Sequence, residues 1–224
     1  MKREIRLTSD GSTTLYLPQW DEQYHSRHGA IREAEHVFMR MGLDACDLKK
    51  ITILEIGFGT GLNCFMTFLA AHQKQIIIDY VGVEAYPVTH EEVSKLNYTN
   101  QLEALEYQEI FDRLHSNAWG EKQEVTSEFH LTKKQIFFNE IDDENSYDLI
   151  YFDAFGAEHQ PELWTSSIFE KMFVALKPKG ILTTYAAKGS VRRAMLEVGF
   201  EVERLQGPPG KREMLRARKI IKQV

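Results

Sequence analysis

The sequence predicts an α/β protein of the Rossmann-like type, with a mostly parallel, seven-stranded sheet and helices on both of its faces. Short apolar runs rich in β-branched residues alternate along the chain with stretches of helical periodicity, which is typical of strands joined by crossover helices. The first strong apolar run passes directly into a glycine-rich turn and a helix, the opening of a βαβ unit. No internal repeat or low-complexity linker divides the 224 residues, so we predict one domain over 1–224.

We predict that residues 1–45 form an extension that packs on this core. Apolar and charged residues alternate on either side of the turn-forming segment 9–12, which indicates a hairpin. Apolar side chains then recur at helical spacing over 30–41, and Gly42 is placed to end that helix. The extension is therefore expected to be a hairpin followed by a helix.

The remaining elements alternate between strands and helices. The strands are predicted at 51–56, 76–83, within 128–138, and at 147–152, 181–185, 200–205 and 213–217. The helices are predicted from about residue 60 onward and over 89–96, 101–117, 161–176 and 190–198. Only a Gly/Pro loop separates the last two strands, so we expect them to pair antiparallel.

The composition favours a cytoplasmic protein with neither a membrane span nor a disulfide framework. No apolar run approaches the roughly 18–20 residues that cross a bilayer. The charged N-terminus is not followed by the apolar core of an export signal. The two cysteines, Cys46 and Cys64, lack metal-ligand spacing, and the histidines do not suggest a metal site either.

Charge is unevenly distributed along the chain, whose net charge is −6. Residues 188–224 carry ten basic and four acidic side chains and are thus +6, whereas the rest of the chain is −12. A basic end on an acidic body could guide a polyanion to one face. The same charges are compatible with ordinary solvated faces of a terminal helix and strands.

Residues 55–61 form the most informative local motif, an acid followed by Gly57, Gly59 and Gly61 at alternate positions. Glycines let the backbone turn sharply after a strand and let a ligand approach without meeting a Cβ atom. The helix that follows presents free N–H groups and a partial positive charge. The spacing differs from the Gly-x-Gly-x-x-Gly dinucleotide fingerprint. It resembles the first motif of class I S-adenosylmethionine-dependent methyltransferases; a purely structural turn is the alternative.

Two acids directly follow predicted strands and are expected near the glycine turn. Glu84 lies 23 residues after Gly61, close to the spacing from which an acid accepts hydrogen bonds from ribose hydroxyls. Asp153 follows the strand at 147–152, and the carboxyl ends of parallel strands meet in one crevice. There it could orient an amine, balance its charge or relay its proton. The alternatives are an exposed loop acid at Glu84 and a helix-capping role for Asp153.

Six motifs follow one another along the chain in an order found in a known family. They are 24–30 with Glu33 and 37–38, the glycine loop with Leu62 and Asn63, 84–89, 153–155 with 161–165, 189–193 with 199–200, and 210–215. In this order they resemble the methyltransferase domain of the bifunctional tRNA-modifying MnmC family. Each motif is modest alone, but the series of six is specific.

The resemblance implies a class I methyltransferase fold, S-adenosylmethionine as cofactor and tRNA as partner, with no FAD, no metal and no membrane association. Enzymes of this family methylate the aminomethyl nitrogen on C5 of the wobble uridine. That reaction converts 5-aminomethyl-2-thiouridine to its 5-methylaminomethyl form. The motifs cover no FAD-dependent oxidase domain, so we expect a stand-alone methyltransferase that receives its amine from other enzymes.

The resemblance also implies which residues form the site. Asp153 is expected to be catalytic. Cofactor binding is expected from Glu55, Gly57, Phe58, Gly59, Thr60, Gly61, Asn63, Glu84, Ala85, Asp153 and Phe155. Substrate binding is expected from Tyr24, Ser26 and Glu33 over the acceptor, and from Lys188, Arg192, Lys211 and Arg212 on phosphates.

One position departs from the family pattern and leaves alternatives open. Phe137 occupies the place where relatives usually have an acid that meets the adenine amino group. Adenine would then be held by backbone groups, by Asn139 or by stacking.

A methyltransferase acting on a small amine and an inactive cofactor-binding module are the rival functions. The sequence does not decide the oligomeric state, and a monomer is compatible with it.

Overall fold

A computed structural model describes residues 2–220 of the chain, so Lys222 of the basic tail lies outside the described residues. The strands are β1 (Glu4–Leu7), β2 (Thr13–Leu17), β3 (Glu22–Gln23), β4 (Lys50–Ile56), β5 (Ile77–Val83), β6 (Lys122–Thr126), β7 (Phe129–Lys134), β8 (Tyr147–Phe152), β9 (Leu176–Thr184), β10 (Phe200–Gln206) and β11 (Glu213–Lys219). The α-helices are α1 (Ala30–Ala34), α2 (Leu62–Lys74), α3 (His90–Val93), α4 (Tyr98–Gln101), α5 (Gln108–Ser116), α6 (Ser166–Ala175) and α7 (Gly189–Glu197).

Strands β4 and β8 lie side by side at the point where the strand order reverses. The order across the larger sheet is β10-β11-β9-β8-β4-β5-β7-β6. Strand β4 pairs parallel with β5 on one side and with β8 on the other. In open α/β sheets, ligands bind outside the carboxyl ends of the strands at such a switch point. The glycine turn after β4 and Asp153 after β8 are therefore brought to the same edge.

The Rossmann-like α/β class is confirmed, but the predicted count of seven strands is wrong, since residues 2–220 form an eight-stranded sheet. The additional strand is β6, which pairs antiparallel with β7 at one edge. Among its five residues only Val125 is buried. An edge strand of this kind lacks the apolar run by which a buried strand is recognised in a sequence.

Two predicted helices are interrupted by residues with non-helical backbone. The helix expected over 161–176 begins only at Ser166, because Thr165 is extended with φ −92° and ψ 160°. A short 3₁₀ turn precedes it. The helix expected over 101–117 is separate from α4, and Glu103 between them has a positive φ of 53°.

Helices cover both faces of the sheet and bury one apolar cluster on each. Helices α2 and α5 contribute to one cluster, and α6 and α7 contribute to the other. Cys64 is fully buried in the first cluster, and burial raises the pKa of its thiol well above the ordinary value. Within residues 2–220, no helix combines the length and the apolar character needed to cross a bilayer.

The N-terminal extension contacts the core through apolar side chains of the segment 30–43 and through polar side chains of the hairpin. The predicted hairpin is present, and the short strand β3 extends it to three antiparallel strands. Asn97 accepts a hydrogen bond from the backbone N–H of Thr13 at 2.8 Å. Arg3 donates to the carbonyl oxygen of Tyr86. The predicted helix over 30–41 consists of α1 and a π-helical continuation, Glu35–Arg40.

We expect Gly57→Ala to destabilise the fold. Gly57 has a φ of 90°, and an added Cβ would lie 2.5 Å from the carbonyl oxygen of Asp153. The unfavourable φ alone costs about 1–3 kcal/mol, and the clash adds to it because a backbone oxygen cannot rotate aside. Urea unfolding measures the free energy of unfolding. Gly120→Ala is the matched control, since Gly120 has a φ of 81° with open space around an added Cβ. Equal losses in both variants would contradict the clash.

Candidate active site

A cavity of about 460 Å³ opens at the carboxyl edge of the sheet, beside the ends of β4, β5 and β8. Residues of the N-terminal extension, the segment after β7 and the beginning of α6 complete its walls. Seven of the residues predicted for the site line it: Tyr24, Gly57, Gly59, Glu84, Ala85, Asp153 and Phe155. The cavity thus lies where the strand order predicts a ligand site.

The glycine loop takes a backbone path that other residues rarely adopt. Gly57, Gly59 and Gly61 have φ values of 90°, 49° and 71°. The backbone N–H groups of Gly57 and Phe58 both donate to the carbonyl of Val83 at 3.0 Å, which bends the loop over the end of β5. An added Cβ at Gly59 would lie 3.3 Å from the ring of Tyr24. Glycine is therefore required by both the turn and the packing.

Neutral side chains hold the loop from the core side. The hydroxyl of Tyr98 donates to Oγ1 of Thr60 at 2.9 Å, and Nε2 of His115 lies 3.1 Å from the Thr60 carbonyl oxygen. Burial lowers the pKa of His115 to about 3 and that of His25 to about 4. Both imidazoles are uncharged at physiological pH, so they act there as hydrogen-bonding groups.

Several predicted cofactor residues support the cavity without lining it. Thr60, Gly61, Asn63 and Glu55 are buried and do not line the cavity. The ring of Phe58 turns away from the cavity and packs against Gly82, where no side chain would fit. A contribution of Phe58 to binding is therefore restricted to its backbone.

Glu84 connects the glycine loop to the segment after β5. Its Oε2 accepts a hydrogen bond from the backbone N–H of Gly59 at 3.1 Å, and its Oε1 accepts one from Tyr86 at 2.9 Å. Each carboxylate oxygen keeps a further lone pair. The group can therefore also accept hydrogen bonds from a diol in the cavity.

Asn63 joins two acids at the first turn of α2. Its Nδ2 donates to Oε1 of Glu55 at 2.9 Å and to Oδ2 of Asp153 at 2.8 Å. Glu55 is fully buried, and burial raises the pKa of its carboxyl well above the ordinary value. Oε2 of Glu55 and Oδ1 of Asn63 have no hydrogen-bond partner within the described residues.

Asp153 faces the cavity and titrates close to neutrality. Burial raises its pKa to about 7, and the Glu33 carboxylate adds to this rise. The Asn63 amide and the Lys211 ammonium act in the opposite direction. A carboxyl with such a pKa can accept and release a proton at physiological pH.

An aromatic wall, defined here as Trp20, Tyr24 and Phe155, borders the Asp153 end of the cavity. The ring of Phe155 meets Trp20 and Tyr24 edge-to-face, with centroid distances of 5.4 and 4.9 Å. Trp20 also stacks on His159 at 5.7 Å. Sequence reasoning missed Trp20, because it lies in a polar turn after β2 where no periodic pattern marks a contact.

The opposite end of the cavity contains the aromatic residue that departs from the family pattern. Phe137 is 54% exposed and meets the ring of Tyr86 edge-to-face at 6.0 Å. Phe138 and Asn139 line the cavity beside it. The position usually held by an acid therefore offers a ring face on which a planar base can stack.

Two of the three residues predicted over the acceptor do not line the cavity. The backbone N–H of Ser26 donates to Oε2 of Glu33 at 2.9 Å, and Glu33 is buried. Only Tyr24 of this group reaches the cavity surface. Ser26 and Glu33 therefore support the wall rather than form it.

The four basic residues predicted to contact phosphates differ in exposure and in whether they form ion pairs. Lys188 is exposed but pairs with an exposed glutamate at 2.6 Å. Lys211 is partly buried and pairs with Glu33 at 2.6 Å. Arg192 is partly buried. Of the four, Arg212 alone is both exposed and free of ion pairs among residues 2–220.

Residues 97–220, more than half of the chain, match the family described as S-adenosyl-L-methionine-dependent methyltransferase. The fold brings the glycine loop, Glu84 and Asp153 around one cavity. The chain belongs to this methyltransferase family.

Individual proteins and solved structures are similar to nearly the whole chain. The chain is 29% identical to the tRNA 5-methylaminomethyl-2-thiouridine biosynthesis bifunctional protein MnmC of Cupriavidus metallidurans, over 95% of this chain and 33% of that protein. It is 26% identical to MNMC2 from Aquifex aeolicus, whose crystal structure matches with a TM-score of 0.76 over 97% of this chain and 70% of the other. A methyltransferase from Pyrococcus furiosus, 17% identical with a TM-score of 0.52 over 92% of this chain and 91% of its own, shares the fold.

The resemblance to the methyltransferase part of MnmC proteins is confirmed. The chain spans about a third of the length of the curated relatives it matches.

Stability should depend on pH through Asp153. An aspartate titrates near 3.8 in the unfolded chain and near 7 here. Between these values the folded protein holds a proton that the unfolded chain has lost, so the free energy of unfolding falls as the pH rises from about 4 to 7. Asp153→Asn removes this titration. The variant should therefore gain roughly 1–4 kcal/mol over the wild type between pH 4 and 8, at about 1.4 kcal/mol per pKa unit.

Urea unfolding of both proteins across this range measures the difference. Asp47→Asn, at an exposed carboxylate that does not line the cavity, is the control and should leave the pH profile unchanged. A constant offset between Asp153→Asn and the wild type at all pH values would show that the carboxyl does not titrate near 7.

Proposed function

We propose that this protein transfers a methyl group from S-adenosylmethionine to the aminomethyl nitrogen on C5 of the tRNA wobble uridine, giving 5-methylaminomethyluridine or its 2-thio form. The observation that carries the proposal is Asp153, a carboxyl with a pKa of about 7 that faces the cavity beside the glycine loop. The relatives named for biosynthesis of 5-methylaminomethyl-2-thiouridine in tRNA support the choice of acceptor.

The residues around the cavity fit S-adenosylmethionine. Gly57 and Gly59 line the cavity, so a ligand there can approach the loop backbone closely. Glu84 can accept hydrogen bonds from ribose hydroxyls, and Phe137 can stack on the adenine. When bound, the cofactor supplies an electrophilic methyl group on a positively charged sulfur.

Asp153 would deliver the acceptor amine in its reactive form. A primary alkylamine has a pKa of about 10 in water and is mostly protonated at pH 7. Asp153 in its charged form can attract the ammonium group, accept its proton and hold the lone pair in line with the methyl carbon. Asn63 fixes the carboxyl by its hydrogen bond of 2.8 Å. Alignment alone can lower such a barrier by several kcal/mol.

The aromatic wall would hold the acceptor base. Enzymes that modify a nucleic-acid base take it out of the stack and pack it between aromatic or apolar side chains. Trp20, Tyr24 and Phe155 offer such surfaces next to Asp153. Arg212 is exposed and can contact a phosphate of the tRNA backbone.

One observation favours a second candidate, a methyltransferase that acts on a small amine. Lys188 and Lys211 are both ion-paired, which leaves fewer cations for a polyanion than the sequence suggested. The cavity and Asp153 would serve either acceptor.

Glu84→Ala should weaken cofactor binding. Loss of charged hydrogen bonds to the ribose, each worth about 1.5–3 kcal/mol, should raise the Kd for S-adenosylmethionine by about 10- to 100-fold. Isothermal titration calorimetry measures the change. Glu91→Ala, at an exposed acid on α3, is the control and should bind like the wild type. An unchanged Kd for Glu84→Ala would remove Glu84 from the site.

Asp153→Asn should lower kcat for methyl transfer by about 10²- to 10⁴-fold, because the amide cannot accept the amine proton. The isosteric change leaves the Asn63 contact available, so the variant should remain folded and bind cofactor. Single-turnover transfer of a labelled methyl group measures the rate. Wild-type turnover in the variant would assign Asp153 a structural role.

The acceptor is decided by mass spectrometry of nucleosides from tRNA incubated with the protein and S-adenosylmethionine. We expect conversion of 5-aminomethyl-(2-thio)uridine to the 5-methylaminomethyl form, with binding that weakens steeply as salt rises. A panel of free amines, including the 5-aminomethyluridine nucleoside, is tested in parallel. Turnover on free amines without a tRNA product would favour the second candidate, and no turnover on any acceptor would contradict both.

A further inference from the structure

An ion pair lies next to Asp153 but outside the surface of the cavity. Oε1 of Glu33 and Nζ of Lys211 are 2.6 Å apart. The Glu33 side chain is 9% exposed and the Lys211 side chain 33%. The two residues are 178 positions apart in sequence, so the pair joins the N-terminal extension to the loop between β10 and β11.

Both partners are held by well-defined backbone contacts. Oε2 of Glu33 accepts a hydrogen bond from the backbone N–H of Ser26 at 2.9 Å, which leaves Oε1 to pair with Lys211. Lys211 belongs to a tight loop in which its own N–H donates to the carbonyl of Pro208 at 2.9 Å. Because the Glu33 carboxylate and the Lys211 backbone are already held, pairing fixes only the lysine side chain, which limits its cost in conformational entropy.

A short series of contacts leads from the pair to Asp153. Nζ of Lys211 lies 3.7 Å from the centre of the Tyr185 ring, a close cation–π contact. The Tyr185 hydroxyl donates at 2.8 Å to the carbonyl of Ala154, the residue that follows Asp153. The lysine is thus packed against the side chain that fixes the backbone beside the carboxyl.

We propose that the Glu33–Lys211 ion pair is a positioning pair for Asp153, which holds the segment carrying this carboxyl and balances the charge around it. The inference rests on the proposed role of Asp153 in accepting the amine proton. It replaces the sequence-based interpretation of Lys211 as a phosphate contact. In this arrangement the N-terminal extension and the loop between β10 and β11 act together on a residue of the core.

Fold stability alone does not account for the pair. Replacing a buried ion pair by apolar residues is often neutral or stabilising, so such a pair is weak evidence for a contribution to stability. The two charges act on Asp153 in opposite directions, with Glu33 favouring its protonated form and Lys211 its charged form. Together they leave the carboxyl able to exchange a proton near pH 7.

The other groups that face Asp153 are few among the described residues. Asn63 donates a hydrogen bond to its Oδ2. The carboxyl of Glu55 and the hydroxyl of Tyr185 interact with it electrostatically, and burial raises the pKa of both groups well above the ordinary values. Glu33 and Lys211 are therefore the neighbours whose removal should change the titration of Asp153 most directly.

The test compares Glu33→Gln and Lys211→Met with the wild type by ¹³C NMR titration of the Asp153 carboxyl, assigned through Asp153→Asn. We expect its midpoint to fall by about 0.5–1 pH unit in Glu33→Gln and to rise by a similar amount in Lys211→Met, since neighbouring charges shift pKa values by this order. The double variant should return toward the wild type. Lys211→Arg keeps the charge and should retain most of the wild-type midpoint.

The acidic limb of the pH profile of kcat should move in the same opposite directions. Lys95→Met and Glu91→Gln, which break an exposed pair on the surface at 2.6 Å, are the controls and should shift neither measurement. Thermal unfolding checks that each variant is folded; if Glu33→Gln is not, Lys211→Met against Lys211→Arg decides the question.

Shifts in the same direction in both single variants, or no shift in either, would overturn the proposal. The NMR titration needs no methyl transfer. A failure of the proposed function, seen as no turnover on any acceptor, is therefore distinct from a failure of the positioning pair, seen as an unmoved Asp153 titration.

Discussion

The shared amide of Asn63 is the interaction on which the site depends. One NH₂ group donates to Glu55 on β4 and to Asp153 after β8, two acids on neighbouring parallel strands. Two negative charges in so poorly hydrated a place would be costly: burial favours the protonated form of both acids, and the hydrogen bonds from Asn63 favour their charged forms. Because Asn63 lies in the first turn after the glycine loop, the same amide also fixes the loop relative to Asp153.

Segments from both sides of the Rossmann-like core complete this centre. The N-terminal extension contributes Tyr24, which packs on Gly59, and Trp20, which packs on Phe155. The loop between β10 and β11 contributes Lys211. The core provides the glycine loop, Glu84 and Asp153, and Trp20 and Tyr24 of the extension border the part of the cavity where the acceptor is proposed to bind.

Local sequence patterns predicted the elements whose conformation is determined by residues adjacent in the sequence. The strand, glycine turn and helix at residues 50–74 are encoded by adjacent residues, and the positions of Glu84 and Asp153 follow from parallel strand order. The edge strand β6 carries almost no apolar residues, so periodicity does not mark it. A motif also cannot tell whether a residue such as Phe58 contributes its backbone or its ring. The pairing of Glu33 with Lys211 depends on tertiary structure over most of the chain, and no local pattern records it.

The buried Cys64 gives this protein an internal chemical reporter. Its thiol lies in the first turn of α2, directly after the glycine loop, and burial keeps it both inaccessible and protonated. A protonated thiol reacts slowly with alkylating and disulfide reagents, so modification requires α2 to separate transiently from the sheet. The rate of covalent labelling at Cys64 therefore reports how often α2, which directly follows the glycine loop, separates from the sheet. A ligand that binds to the closed loop should slow this labelling, and the measurement uses the native cysteine.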